Sequence, residues 1–170
     1  ELSSISWLDA KRRTRASYSA TSSQKGFYLG VGEVLNNPSA VSTFELAREL
    51  RRAMYTPPLA DAGQKERTSF DLRLHVPIFS KGNFEGVVMD EYDIDGLIRH
   101  AVPGDITARH AVSLMDAAGT VLAGQAIANR VHTGPVMPWA MVANEFSVPV
   151  SPVGNSLILR AQAYRTSQGL

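Results

Sequence analysis

The sequence predicts an α+β protein made of two small antiparallel sheets in tandem, the first with helices over one face and the second smaller and poor in helices. Two observations support this fold class. One is a long hairpin over residues 70–97, where apolar and polar residues alternate on both sides of a turn. The other is a set of short matches that repeats the first half of the chain in the second.

The central hairpin has the clearest pattern in the chain. Over 70–78 apolar residues alternate with charged ones, as in a sheet with two unlike faces. A turn is expected at 80–83, because a Gly-Asn pair between two β-rich runs is a hairpin signal. After the second strand, Asp93 can cap a helix that runs through Leu97, since its carboxylate accepts from free backbone N–H groups.

A helix is predicted ahead of this hairpin. Ser42 and Glu45 have the spacing of a capping box, in which each side chain satisfies the other residue's backbone donor. An apolar stripe follows at helical spacing, formed by Leu46, Ala47, Leu50, Ala53 and Met54. The helix should end by Thr56, because the two prolines that follow cannot continue it.

Three shorter strands complete the first half. Residues 4–9 and 14–20 are predicted to be strands on either side of a basic turn, and 55–59 a short edge strand. The order of strands and helices then favours a mostly antiparallel sheet with helices over one face.

The second half repeats the first with a deletion. The matching pairs are 5–10 with 112–117, 76–83 with 148–155, and Tyr92 with Tyr164. The first offset is 107 residues and the later ones 72, so the second copy lacks about 35 residues where the first has its helix. Its predicted strands are 110–116, 120–123, 145–150 and 156–165, with a helix over 97–105 between the copies. We place the domains at 1–105 and 106–170.

Composition and charge exclude several function classes. An apolar content of 44% is ordinary for a globular protein, so a packed core is expected. The net charge of +1 gives no general attraction to nucleic acid or to an anionic membrane. The absence of cysteine removes disulfides and thiolate chemistry. No apolar run approaches the roughly 18 residues of a membrane span, and we expect a soluble piece of a longer protein.

These motifs resemble the extracytoplasmic sensor modules of bacterial membrane receptors. The similar residues are the run from Val76 to Val88, then Tyr92, Leu97 and Val102-Pro103, and the strand-turn-strand from Ser113 to Ala123. On these residues the chain is similar to the tandem PAS-like, or double Cache (PDC-type), domains of sensor histidine kinases, including the C4-dicarboxylate sensor kinases. The resemblance covers nearly the whole chain, but its motifs are fold-level, so it indicates a kind of module and not a ligand.

The resemblance implies the periplasmic part of an inner-membrane protein, set between two transmembrane helices and usually a homodimer. The membrane-distal copy would hold a small organic acid or amino-acid-like metabolite between its sheet and its helices, and binding would shift the flanking helices and so the kinase. The module itself would have no cofactor and no catalytic activity. An alternative is a ligand-free interaction or dimerisation module of a receptor kinase or diguanylate cyclase. The family's long N-terminal helix, which normally backs both copies, is not found before Ile5 in this sequence, so either the sequence starts after it or this branch of the family lacks it.

Seven residues of the first copy are candidates for ligand contacts. They are Tyr55, Thr56, Arg73, His75, Asp90, Glu91 and Tyr92. The first two lie between the helix and the edge strand, where they can line a pocket. Arg73 and His75 share one face of the central strand, and an arginine fork suits a carboxylate ligand. The alternative is that the strand face shared by Arg73 and His75 is simply exposed to solvent.

The two acidic candidates are adjacent in sequence. Family members that bind amines have an acidic residue just after the Gly-Val-Val strand, which here is Asp90 or Glu91. Alternation sends the two to opposite faces, so one pocket takes at most one of them. The alternative is that both are solvated carboxylates at the end of a strand.

Other chemistry finds no support in the sequence. The acidic run from Glu91 loosely resembles a calcium loop, but its twelfth position is Val102, where a bidentate carboxylate is required. The four histidines lack metal-ligand spacing, and no Gly-x-Ser-x-Gly elbow occurs. We therefore predict no metal site and no catalytic residue.

Overall fold

The computed structural model describes residues 2–20, 29–56, 71–126, 145–152 and 155–164. The chain divides into two compact units, Glu1–Leu97 and Ile98–Leu170. Each described unit holds one antiparallel sheet, of five strands in the first and four in the second. The predicted fold class, two antiparallel sheets in tandem with the second smaller and poorer in helices, is confirmed.

The first unit is a five-stranded sheet with a helix packed on it. Its elements are β1 (Leu2–Asp9), β2 (Thr14–Ser19), α1 (Pro38–Leu50), β3 (Met54–Thr56), β4 (Asp71–Ser80) and β5 (Asn83–Asp93). The strand order is β2-β1-β5-β4-β3, and every neighbouring pair is antiparallel. Helix α1 packs on β3, β4 and β5. A helix over one face of the first sheet is as predicted.

The central hairpin is β4 and β5. Their turn is at Lys81 and Gly82, whose φ values of 49° and 85° are both positive, as a two-residue hairpin turn requires. The cap on the next helix is also confirmed, because the Asp93 Oδ2 accepts from the Gly96 backbone N–H at 3.1 Å. Phe70, the first residue of the predicted strand, lies outside the described residues.

The predicted capping box is wrong. The N-cap lies five residues earlier, at Asn37, whose side-chain oxygen accepts from the Ala40 N–H at 3.1 Å, and helix α1 begins at Pro38. Proline at the first helical position needs no hydrogen-bond partner for its nitrogen, and asparagine is a strong cap. Ser42 therefore lies inside the helix, where its backbone N–H is already used.

Of the predicted apolar stripe of α1, Ala47 is confirmed as buried, but Leu46 and Leu50 are wrong. The buried residues of the helix are Ala40, Thr43, Phe44 and Ala47. Leu46 and Leu50 are exposed, at 42% and 47%. The helix ends at Leu50, where Arg51 adopts a left-handed conformation, and Met54 already belongs to β3.

Two further helices follow β5. Helix α2 (Ile94–Ala101) begins directly after the predicted cap Asp93 and ends before the predicted limit at Asp105. A proline disfavours helical backbone in the residue before it, so α2 stops ahead of Pro103 and the short α3 (Gly104–Thr107) starts after it.

The second unit repeats the strand order of the first. Its strands are β6 (His110–Met115), β7 (Val121–Gly124), β8 (Glu145–Pro149) and β9 (Ile158–Ala163), in the order β7-β6-β9-β8. This is the order β2-β1-β5-β4 without a counterpart of β3 among the described residues. The predicted duplication agrees with this topology.

One match of the duplication is wrong. Ser4 pairs with Glu91 in the first sheet, and Ala111 pairs with Gln162 in the second. Equivalent residues of β5 and β9 are thus 71 apart, not 72. The counterpart of Tyr92 is therefore Ala163 and not Tyr164, because one residue fewer separates the strands of the second hairpin.

The corrected cap leads to a stability prediction. We expect Asn37→Ala to lower the free energy of unfolding by about 1 kcal/mol, because the Ala40 N–H at the start of α1 loses its side-chain acceptor. The matched control Ser42→Ala should leave it unchanged or raise it by a few tenths, since alanine is the better residue inside a helix. Urea unfolding measures the free energy of unfolding of both variants. A larger loss of stability in Ser42→Ala than in Asn37→Ala would show that Ser42 is the cap of the helix.

Candidate functional site

The first sheet has an inner face, which we define as the face that packs against α1. Leu8 of β1 and Val87 of β5 lie on it and share one buried cluster with Phe44 of the helix. Because side chains alternate along a strand, every second residue from these positions shares the face. At this end of the sheet the inner face is an ordinary apolar core.

Further along the same strands the inner face becomes polar. Ser6 and Ser4 follow Leu8 on β1, and both are buried. Ser4 is paired with Glu91 of β5, which in turn is paired with Arg73 of β4. Thr56 of β3 completes this row across the sheet. The row thus places two charged and two hydroxyl side chains side by side.

The centre of the row is a buried ion pair. Glu91 is 1% exposed, and the Arg73 side chain is 17% exposed. The Arg73 Nε donates to Glu91 Oε1 at 3.2 Å, and the Ser4 hydroxyl donates to Oε2, also at 3.2 Å. Removing both charges from water costs several kcal/mol, which the attraction between them only balances. The pair therefore needs an explanation other than stability.

A buried histidine lies next to this pair. His75 is 0% exposed, and its Nδ1 is 3.3 Å from the Thr56 hydroxyl. Its Nε2 has no hydrogen-bond partner in the part of the chain that the structure describes. Burial, with the nearby Arg73 charge, lowers the pKa of His75 from 6.5 to about 4. The ring is neutral at pH 7 and holds one unused polar atom.

The remaining three candidates lie on the opposite, outer face of the sheet. Asp90 and Tyr92 alternate with Glu91 on β5, and Tyr55 alternates with Thr56 on β3. Burial raises the pKa of Asp90, and a hydrogen bond with Tyr92 partly offsets that. Burial also raises the pKa of Tyr92, and the neighbouring Asp90 charge adds to it. Burial raises the pKa of Tyr55, with a smaller contribution from Tyr92.

The seven candidates therefore form two groups. Four share the inner face, namely Thr56, Arg73, His75 and Glu91. The expectation that alternation separates Asp90 from Glu91 agrees with the structure. A role in ligand binding stays a prediction for all seven.

Sequence reasoning missed Ser4 and Ser6. The signal was present, because Ser4, Ser6 and Leu8 alternate with Ile5 and Trp7, which places two hydroxyls on the face of a buried leucine. Only the pairing of β1 with β5 shows that Ser4 meets Glu91.

An open cleft of about 410 Å³ lies at the other end of the first unit. It is lined by Glu45, Arg48, Glu49, Arg51, Phe79, Gly82 and Phe84. Its two arginines stack on aromatic rings. The Arg48 Cζ lies 5.1 Å from the centre of the Phe84 ring, and the Arg51 Cζ lies 4.1 Å from the centre of the Phe79 ring. We prefer the inner-face row as the candidate site, since its charges are buried and the lining arginines and glutamates of the cleft are solvated.

Metal and membrane features complete the description. Within the described ranges, no three His, Cys, Asp or Glu side chains are grouped so that they could hold a metal ion. In the same ranges, no helix has the length and apolarity needed to cross a bilayer.

Comparisons with known proteins give structural neighbours only. No protein-family model matches the chain, and no curated protein matches it. Solved structures that resemble it include ligand-binding domains of bacterial chemoreceptors. The Pseudomonas aeruginosa amino acid chemoreceptor PctC, solved with GABA, has 15% identity and a TM-score of 0.48, over 93% of this chain and 72% of that one.

Two more neighbours are of the same kind. A Campylobacter jejuni chemoreceptor domain solved with 4-methylisoleucine has 13% identity and a TM-score of 0.49, over 96% of this chain and 65% of that one. The P. aeruginosa chemoreceptor PctB, solved with L-Gln, has 11% identity and a TM-score of 0.46, over 94% and 67%. The chain thus spans between 65% and 72% of the length of these three domains. Likeness at this level does not assign a function.

The buried histidine leads to a pH prediction. Its pKa is about 4 in the folded chain and 6.5 when unfolded, so between these values only the unfolded state takes up the proton. The neutral ring of His75 therefore contributes about 3 kcal/mol to the free energy of unfolding above pH 6.5. This contribution is lost as the pH falls from 6.5 towards 4.

His75→Gln isolates this contribution, because glutamine does not titrate. Urea unfolding between pH 4 and 7 should show a shallower loss of stability in His75→Gln than in the unsubstituted chain. Parallel pH profiles would contradict a buried neutral ring.

The ion pair leads to a second stability prediction. We expect Arg73→Met to lower the free energy of unfolding by about 3 kcal/mol, because Glu91 stays buried without its partner. The double substitution Arg73→Met/Glu91→Gln should recover most of that loss, since no buried charge remains.

The control is Arg15→Met, which breaks an exposed pair with Asp9 and should cost less than about 1 kcal/mol. Urea unfolding at pH 7 compares the three variants. Equal costs for the Arg73 and Arg15 single substitutions would show that the inner pair is not desolvated.

Proposed function

We propose that the chain is a ligand-sensing domain of a bacterial membrane receptor, and that the inner-face row of the first unit binds a small polar metabolite. The observation that carries this proposal is the buried Arg73–Glu91 pair on the face covered by α1. The sequence resemblance places the ligand of such modules between the sheet and its helices, which is the same face.

The chemistry of the row supports a small ligand with a carboxylate, an amine or both. A guanidinium suits a carboxylate, and a carboxylate suits an ammonium group. A ligand of this kind would exchange partners with the existing ion pair, so the buried charges would stay compensated. The unused Nε2 of His75 offers a third polar contact in the next row.

The finer parts of the proposal rest on the sequence resemblance. We propose an extracytoplasmic location, flanking transmembrane helices, a homodimer, and an output domain that is a sensor histidine kinase. The described chain itself would have no catalytic activity. The coding sequence on either side of this chain tests these points directly, because it must encode one hydrophobic span before and one after the sensor, and then a kinase.

A second candidate function is a ligand-free interaction module. It is favoured by the outer face of the first sheet, where Trp7 is 44% exposed and Tyr18 is 65% exposed. Ile5 and Val76 are also exposed on this face, at 37% each. Apolar side chains that share one exposed sheet face are typical of a contact surface.

A thermal-shift screen with carboxylates, amino acids and amines separates the two candidates. A ligand that binds only the folded state must raise the melting temperature, with about 2.7 kcal/mol of stabilisation at 100 times its Kd. The Arg73→Met/Glu91→Gln chain should lose the response, and the outer-face control Asp90→Asn should keep it.

Two outcomes would contradict ligand sensing at the inner face. One is a response that survives in the Arg73→Met/Glu91→Gln chain but disappears in Asp90→Asn. The other is the absence of any response across the three classes of compound, together with self-association that Trp7→Ser abolishes, which would support the interaction module.

A further inference from the structure

The second unit keeps polar side chains at the positions of the ion pair. By strand register, Glu145 is the counterpart of Arg73, and Gln162 is the counterpart of Glu91. The Gln162 amide donates to Glu145 Oε2 at 3.2 Å, so the cross-strand contact persists with different chemistry. The corresponding face of the second sheet is therefore also polar.

The next row of this face pairs Ser113 of β6 with Arg160 of β9. Residues directly opposite each other in an antiparallel pair extend from the same face, with about 5 Å between their Cβ atoms. Ser113 is 0% exposed, and its hydroxyl has no hydrogen-bond partner among the described residues. The Nε of Arg160 is also buried and likewise has no partner within those ranges. Two unused donors thus lie side by side.

The charge of Arg160 is poorly compensated. Its side chain is 16% exposed, and its ionic contact is with Glu145, whose oxygen lies 3.9 Å from Nη1. That distance is too long for a hydrogen bond. The Glu145 side chain is 41% exposed, and its other oxygen already accepts from Gln162. A mostly buried guanidinium without a hydrogen-bonded anion is costly.

We propose that the second unit binds a small carboxylate between Ser113 and Arg160. One carboxylate oxygen accepts from the Ser113 hydroxyl, and the other accepts from the Arg160 Nε–H. A buried water would satisfy these donors but not the charge, whereas a carboxylate satisfies both. The site suits a small anion, because Ala111 and Met115, two residues either side of Ser113 on the same strand face, are buried as well. It is independent of the inner-face row of the first unit.

Acetate is the probe for this site. Sodium acetate replaces sodium chloride at constant ionic strength, and amide chemical shifts of the full chain are followed by two-dimensional NMR. We expect saturable shifts centred on β6 and β9. Arg160→Lys keeps the charge but removes the Nε donor, and Ser113→Ala removes the hydroxyl, so each should weaken apparent acetate affinity about tenfold.

The controls separate this site from the first one. The chain with Arg73→Met/Glu91→Gln should keep the β6 and β9 response, and so should Arg99→Met, which removes an exposed arginine. Ser113→Ala removes an unsatisfied hydroxyl without leaving a cavity, so without acetate its melting temperature should equal or exceed that of the unsubstituted chain. The proposal is overturned if shifts at β6 and β9 do not saturate, or if they persist unchanged in both Ser113→Ala and Arg160→Lys.

Discussion

The pairing of β1 with β5 is the constraint on which the rest of the first unit depends. It joins the start of the chain to a strand more than 80 residues later, with Leu8 opposite Val87 at one end and Ser4 opposite Glu91 at the other. The ladder ends at Gly86, whose φ is +142° and where a Cβ would collide with the Leu8 carbonyl oxygen. A side chain at that position would push the strands apart. The close approach therefore sets the register, and the register brings the Ser4 hydroxyl to the Glu91 carboxylate.

Within that register, the inner face of the first sheet has an apolar end and a polar end with different roles. Its apolar end, with Leu8 and Val87 against Phe44, excludes water and supplies the stabilisation that burial provides. Its polar end holds a desolvated ion pair that an apolar pair of similar volume would match or exceed in stability. A fold that needed only a core would continue the apolar pattern to the end of the strands. The change from leucine to serine along β1 and from valine to glutamate along β5 is the feature on which the proposed ligand binding rests.

The sequence-based predictions succeeded where local signals were unambiguous. Alternation and the Gly-Asn turn located β4 and β5, and alternation alone separated Asp90 from Glu91. The start of α1 was missed because two cap signals compete, and Asn37 followed by proline prevails over Ser42 by satisfying the first turn of a longer helix. The contact between Ser4 and Glu91 could not be predicted from spacing, because it depends on which strands pair and in which register. Local chemistry thus gives the faces of each strand, and only the tertiary pairing decides which face is covered.

The two units show how the same register can carry different chemistry. The cross-strand contact is arginine with glutamate in the first and glutamate with glutamine in the second, so the first pair is neutral overall and the second carries a negative charge. In the row beside it, Met89 of the first sheet is replaced by Arg160 of the second, which moves the cation by one row. Each sheet thus keeps one arginine on this face while changing its neighbours. The arginine of the first unit is hydrogen-bonded to its carboxylate, whereas Arg160 has no hydrogen-bonded carboxylate among the described residues. An anion therefore gains more electrostatic stabilisation at the second sheet, and a zwitterion gains more at the first.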